Sequence, residues 1–106
     1  LKPLISKFKL ESSEYVHKYK GYKFIDVRTE NEYNSKHVKS SINIPLFDLE
    51  KGFSKLDMNN NYMIYCRSGY RSSVASSILM KNNIKNLINI EEGIIGLAEN
   101  KNVNFN

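Results

Sequence analysis

The stretch Tyr62-Met63-Ile64-Tyr65-Cys66-Arg67-Ser68-Gly69-Tyr70-Arg71-Ser72-Ser73 decides the reading of this chain. Tyr62–Cys66 is a continuous apolar run, the signature of a strand buried on both faces. Arg71–Asn82 follows as a helix, with Val74, Ala75, Ile78 and Leu79 at the spacing of one face. Between them, a short loop carries the chain's single cysteine, a glycine and two of its three arginines. The loop amides have no helical partners and can turn inward around the sulfur. The helix behind them points its positive end at the same place. Arg67 and Arg71 add permanent charge, so a thiolate at Cys66 is favoured and its pKa is expected below the usual value. Gly69 permits the tight curvature. A lone cysteine in an ordinary core is a small hydrophobe; with these neighbours, Cys66 reads instead as a reactive, anion-binding cysteine.

Working outward, strands and helices alternate. Ser12 caps a helix to about Tyr19, which Gly21 ends. Tyr22–Val27 is a buried strand. Thr29 and Glu32 have capping-box spacing and start a short helix carrying Tyr33. Ser41–Ile44 is a short strand stopped by Pro45, and Leu46–Phe53 is helical. Asn82 and Asn83 stand where a left-handed residue closes the long helix. Leu87–Ile90 is a strand, Ile94–Glu99 a last helix, and the Asn-rich residues 100–106 are expected to fray. Residues 1–10, with Leu4, Ile5, Phe8 and Leu10, read as an edge strand with its flanks. This order predicts an α/β domain with a mostly parallel central sheet and helices on both faces. Ligands in such sheets bind beyond the carboxyl ends of the strands. Asp26-Val27-Arg28 and Cys66–Arg71 both leave such ends.

Composition narrows the classes. At 106 residues, 41 % hydrophobic and 25 % charged, the chain is expected to form one domain, residues 1–106. No apolar run approaches a membrane span, so a soluble protein is expected. The net charge is +5. The lysines are scattered and no aromatic nucleic-acid motif accompanies them, so no nucleic-acid partner is expected. One cysteine excludes an intramolecular disulfide framework and a multi-cysteine zinc site, and fits a reducing, cytoplasmic location. Abundant Asn, Ile and Lys reflect the bias of an AT-rich genome. Where lysine is the default cation, the retained arginines Arg28, Arg67 and Arg71 point to a need for the planar guanidinium.

Five blocks together resemble a single-domain rhodanese: Phe24-Ile-Asp26-Val-Arg28-Thr-Glu-Asn-Glu32-Tyr33, His37-Val38, Ser41-Ile-Asn43-Ile-Pro45-Leu46, Cys66-Arg-Ser-Gly-Tyr-Arg71-Ser72, and Glu92-Gly93-Ile94. They stand in the family's order within about residues 22–98. The resemblance implies a sulfurtransferase in which Cys66 accepts a sulfane sulfur as a persulfide, cradled by Arg67, Ser68, Gly69, Tyr70 and Arg71. A small anionic donor such as thiosulfate and a thiol, protein or cyanide acceptor would be its partners, with no metal and no organic cofactor. The sequence departs from the family at turns: Lys36-His37 replaces Gly-His, Ser40-Ser41 replaces Gly-Ala, Glu92-Gly93 replaces Gly-Gly, and Leu97 or a neighbour stands for a tryptophan. The catalytic loop is untouched.

Asp26 ends an apolar strand, so its carboxylate needs a partner. It reads as a supporting residue, through a salt bridge or amide cap, or by orienting Arg67 and the cysteine loop. Arg28 pairs with Asp26 or Glu32, or lines the substrate pocket. His37 reads as structural, and His17 has no constellation. Tyr70 shapes the pocket mouth, and Tyr65 belongs to the core. Two other functions compete. Cysteine phosphatases and arsenate reductases of similar fold use C-x5-R, whereas Cys66 and Arg71 give C-x4-R, a loop one residue short for a phosphate. A persulfide carrier or redox-sensing module of a larger protein would keep the same loop, and a chain opening at Leu1 is compatible with that.

Overall fold

All the strand pairings in the computed structural model, which describes residues 8–106, are parallel. Among the described residues, the five strands are β1 (Lys9–Glu11), β2 (Lys23–Asp26), β3 (Ile42–Asn43), β4 (Tyr62–Tyr65) and β5 (Leu87–Ile90), ordered β1-β5-β4-β2-β3. The helices are α1 (Glu30–Ser35), α2 (Leu49–Gly52), α3 (Tyr70–Lys81) and α4 (Gly93–Leu97). A 3-10 turn at Ser13–Lys18 replaces the expected first helix, with Ser12 as its cap. The expected edge strand is found as β1; Leu4 and Ile5 lie outside the described residues.

Two apolar layers sandwich the sheet because side chains alternate along each strand. On β4, Tyr62 and Ile64 face a cluster with Ile25, Ala75 and Leu79, and Cys66 continues that face. Met63 and Tyr65 face the other way, toward Val16, Ile88, Ile90 and Leu97. The cysteine therefore emerges on the side where α3 packs.

Of the expected face of α3, Ala75 and Leu79 are buried and Ile78 packs against the same cluster, and Val74 alone departs from it. Ser72, Ala75, Ser76 and Leu79 are buried, while Val74 is 39 % exposed. The sheet beneath presents Asn89 and Cys66 to this helix, and hydroxyls can satisfy those groups where valine cannot: Asn89 donates to Ser73 Oγ at 2.8 Å.

Residues 100–106 correct the expectation of a frayed tail. Phe105 forms an antiparallel bridge with Val38, and His37 and Asn106 exchange two backbone hydrogen bonds. Val103 and Phe105, two apart, pack on the cluster around Val38 and Leu97. The asparagines mask this alternation in the sequence.

The capping box on α1 forms as read, with Thr29 Oγ1 accepting from the Glu32 amide and Glu32 Oε1 accepting from Thr29 N–H. Asn83 takes the left-handed conformation (φ 71°), as does Ser40 (φ 68°), which stands where the resembling family has glycine. Among the described residues, no helix is long and apolar enough to cross a membrane.

Candidate active site

The carboxyl ends of the neighbouring strands β2 and β4 lie side by side, with Asp26 in register with Tyr65. Cys66 is 1 % exposed, at the base of a loop whose Arg67, Ser68 and Tyr70 are exposed. The Gly69 amide donates to Cys66 Sγ at 3.1 Å, and the thiol lies 3.5 Å from Ser72 Oγ. Burial pushes the thiol pKa up. The Ser72 hydroxyl and the amides of Ser72, Gly69 and Ser68 pull it down and prevail, leaving it below the ordinary value. The expected direction is present, and the leading causes that lower the pKa are the Ser72 hydroxyl and the loop amides.

Gly69 caps α3 with φ 107°, and an added Cβ would press into the Glu91 carbonyl oxygen. Gly93 (φ 61°) meets the carbonyls of Arg67 and Cys66 at the same close range, and the Ile94 amide donates to Cys66 O at 2.8 Å. Of the Gly-Gly pair common in the resembling family, this chain keeps the glycine that the loop's approach requires.

Arg71 is held by a carboxylate from another element, while its charge still interacts with the Cys66 thiolate. Its guanidinium binds Glu32 bidentately, at 2.6 and 2.9 Å. Glu32 thus serves twice, capping α1 and gripping the cysteine loop, a role its capping-box spacing did not disclose. The Arg71 guanidinium, helped by Thr29, holds the Glu32 carboxyl at about 2, below the ordinary 4.5. A lowered folded-state pKa adds stability above the unfolded value, which is lost as pH falls through the window from 4.5 toward 2. Glu32→Gln should lose this pH-dependent part, at most about 1 kcal/mol because the pair is partly solvated. Denaturant midpoints measured across that acid range will check it: wild type should fall more steeply than the variant.

Asp26 and Arg28 resolve the alternatives left open for them. The buried Asp26 carboxylate accepts from the Arg28 amide at 2.9 Å and from its guanidinium at 2.6–3.1 Å. Arg28 also donates to Lys36 O at 2.6 Å and lies over the Tyr65 ring. This clamp ties β2 to the segment after α1, and Arg28 also reaches a cleft. That cleft, of about 550 Å³, is bordered by Arg28, Glu32, Lys36, Arg67, Ile94 and Ile95. His37 stacks on Tyr33, with Nδ1 2.7 Å from Tyr33 O, as a structural residue. Tyr65 is buried, its hydroxyl accepting from the Val38 amide. Tyr70 is 79 % exposed at the loop.

The rhodanese-like domain family matches residues 11–100, and the chain belongs to it. Over 70 residues it is 36 % identical to the putative sulfur carrier protein YrkF of Bacillus subtilis, covering 66 % of this chain and 38 % of that protein. Over 78 residues it is 37 % identical to a putative mitochondrial thiosulfate sulfurtransferase of Schizosaccharomyces pombe, covering 61 % of this chain and 55 % of that one. The chain therefore spans about half the length, or less, of these two relatives. The crystal structure of a rhodanese-related protein from Thermoplasma volcanium superposes with a TM-score of 0.79 at 27 % identity, covering 87 % of this chain and 92 % of that one. Family and sulfur-related context are thus established together.

Proposed function

We propose that the chain, as one rhodanese-like domain, is a sulfurtransferase working through a persulfide on Cys66. The observation that carries this reading is the cradle itself: a buried sulfur that accepts from the Gly69 amide at 3.1 Å at the N-terminus of α3. In the first step the Cys66 thiolate attacks the outer sulfur of an anionic donor such as thiosulfate. A new S–S bond forms, the donor's S–S bond breaks, and sulfite leaves with the electron pair. The negative charge then sits on the outer sulfur, within the loop amides, which are preorganised for it. In the second step cyanide or a thiolate takes that sulfur, and the electron pair of the breaking S–S bond returns to Cys66. Every electron pair is accounted for within donor and acceptor, so the cycle calls on no metal or organic cofactor. A thiol needing to stay reduced suits the cytoplasm. The test is thiocyanate formation from thiosulfate and cyanide by the purified protein; no turnover above the uncatalysed rate would overturn the reading.

Arg67, exposed at the rim, is assigned to attracting the anionic donor. Arg67→Ala should raise KM for thiosulfate roughly fivefold at low salt, and the difference should shrink as salt rises. A salt-independent effect would assign Arg67 to loop structure instead. The C-x4-R spacing favours a sulfur atom over a phosphate, so hydrolysis of aryl phosphates should be negligible beside sulfur transfer. Efficient hydrolysis would transfer the case to the phosphatase reading.

The likeness to a putative sulfur carrier supports a second reading. There the same Cys66 persulfide is delivered to a protein thiol, and turnover with small acceptors is slow while loading is fast.

A further inference from the structure

Ser72 is fully buried beneath the cysteine, and its single hydroxyl proton has two acceptors within reach. Gly69 O lies 3.1 Å from Ser72 Oγ, and Cys66 Sγ lies 3.5 Å from it. As a thiol, Cys66 donates to Ser72 Oγ, and the Ser72 hydroxyl then donates to Gly69 O. A thiolate has no proton to donate, and it is the stronger acceptor. The hydroxyl can turn to it without cost only if Gly69 O stays satisfied.

Ser73 provides for that. Its hydroxyl donates to Gly69 O at 3.0 Å, and its amide donates to the same oxygen at 3.2 Å. Asn89 Nδ2 donates to Ser73 Oγ at 2.8 Å, which orients the Ser73 hydroxyl proton toward Gly69. Two adjacent serines thus serve one carbonyl, and only Ser72 also reaches the sulfur.

We infer that Ser72 is a catalytic residue whose hydroxyl follows the charge on Cys66 Sγ, donating to Sγ when it is a thiolate and to Gly69 O when it is a thiol or a persulfide. Resting on the sulfurtransferase reading, this assigns Ser72 to both half-reactions. When Cys66 attacks the donor, Sγ becomes neutral and the hydroxyl turns away. When the acceptor removes the outer sulfur, the returning electron pair on Sγ draws the hydroxyl back and the leaving thiolate is stabilised. Ser73 and Asn89 act as positioning residues that free Ser72 to move. The lowered thiol pKa, to which the Ser72 hydroxyl contributes, agrees with this geometry.

The test titrates the thiolate by its rate of alkylation with iodoacetamide, a neutral reagent, as a function of pH. Ser72→Ala should move the midpoint up by about one pH unit, and Ser72→Thr should restore it. Ser73→Ala should move it up by less, because Gly69 O then retains the Ser72 hydroxyl, and should add nothing in a Ser72→Ala background. An unchanged midpoint in Ser72→Ala, or full additivity of the two alanine variants, would overturn the assignment. Should Ser72→Ala fail to fold, the near-isosteric pair Ser72→Thr and Ser72→Val reads the same quantity, and equal midpoints in that pair overturn it. Alkylation involves no sulfur donor. A chain that cannot be loaded with sulfur still reports on Ser72, and a chain in which Ser72 proves inert still reports on loading.

Discussion

Cys66→Ser should abolish thiocyanate formation, with a loss of at least about a thousandfold. A serine hydroxyl stays protonated at neutral pH even beside the Gly69 amide, and oxygen in place of sulfur cannot carry a sulfane sulfur through a persulfide. The loop should survive the change. Serine is close in size to cysteine, and the donors that met Sγ, Gly69 N–H among them, can meet an oxygen. The stability cost should therefore stay near 1–2 kcal/mol, the scale of a modestly mismatched buried polar group. Steady-state assays beside a denaturation curve will separate chemistry from folding. Retained turnover in a folded Cys66→Ser protein would remove the cysteine from the mechanism.

Gly69→Ala should produce the next largest effect, on structure and activity together. Position 69 has φ 107°, where any side chain is strained, and its Cβ would be driven into the Glu91 carbonyl. That neighbour is backbone and cannot swing aside. A stability loss of about 2–4 kcal/mol is expected. Relief by moving the loop would misplace the Gly69 N–H, and losing one such donor costs roughly a hundredfold in rate. Urea denaturation together with thiocyanate assays will check both parts. Wild-type stability in the alanine variant would show that the loop is free to adopt another backbone path.

Much of this architecture is legible in the sequence because a few local signals agree. The apolar run Tyr62–Tyr65, followed by a glycine loop and a helix, can hardly be read otherwise, and Thr29 with Glu32 announces α1. The face of α3 was legible only in part: Ala75, Ile78 and Leu79 pack as their spacing predicts, but periodicity says nothing of Asn89, a polar residue that the sheet brings beneath the helix and that Ser73 meets. The tail misled for a related reason. Its asparagines suggest solvent, yet Val103 and Phe105 alternate, and their partner Val38 lies more than sixty residues upstream.

The site divides in the same way. Cys66, Gly69 and the amide ring follow from local motif geometry. Asp26 was legible as a buried carboxylate needing a partner, with Arg28 only one of the candidates, and the fold supplies Arg28 as that partner. Glu32 was hidden by its own local role, since a capping box fully explains the residue until Arg71 folds against it. Ser72 stood in the quoted motif without distinction, because a serine at the start of a helix is ordinary until its distance to a sulfur is known.

Intact mass spectrometry of the protein after incubation with thiosulfate tests the persulfide most directly. The wild-type chain should gain the mass of one sulfur atom, lose it on addition of cyanide, and gain nothing when Cys66 is serine. No mass gain in a folded, reduced wild-type chain, or the same gain in Cys66→Ser, would contradict a Cys66 persulfide.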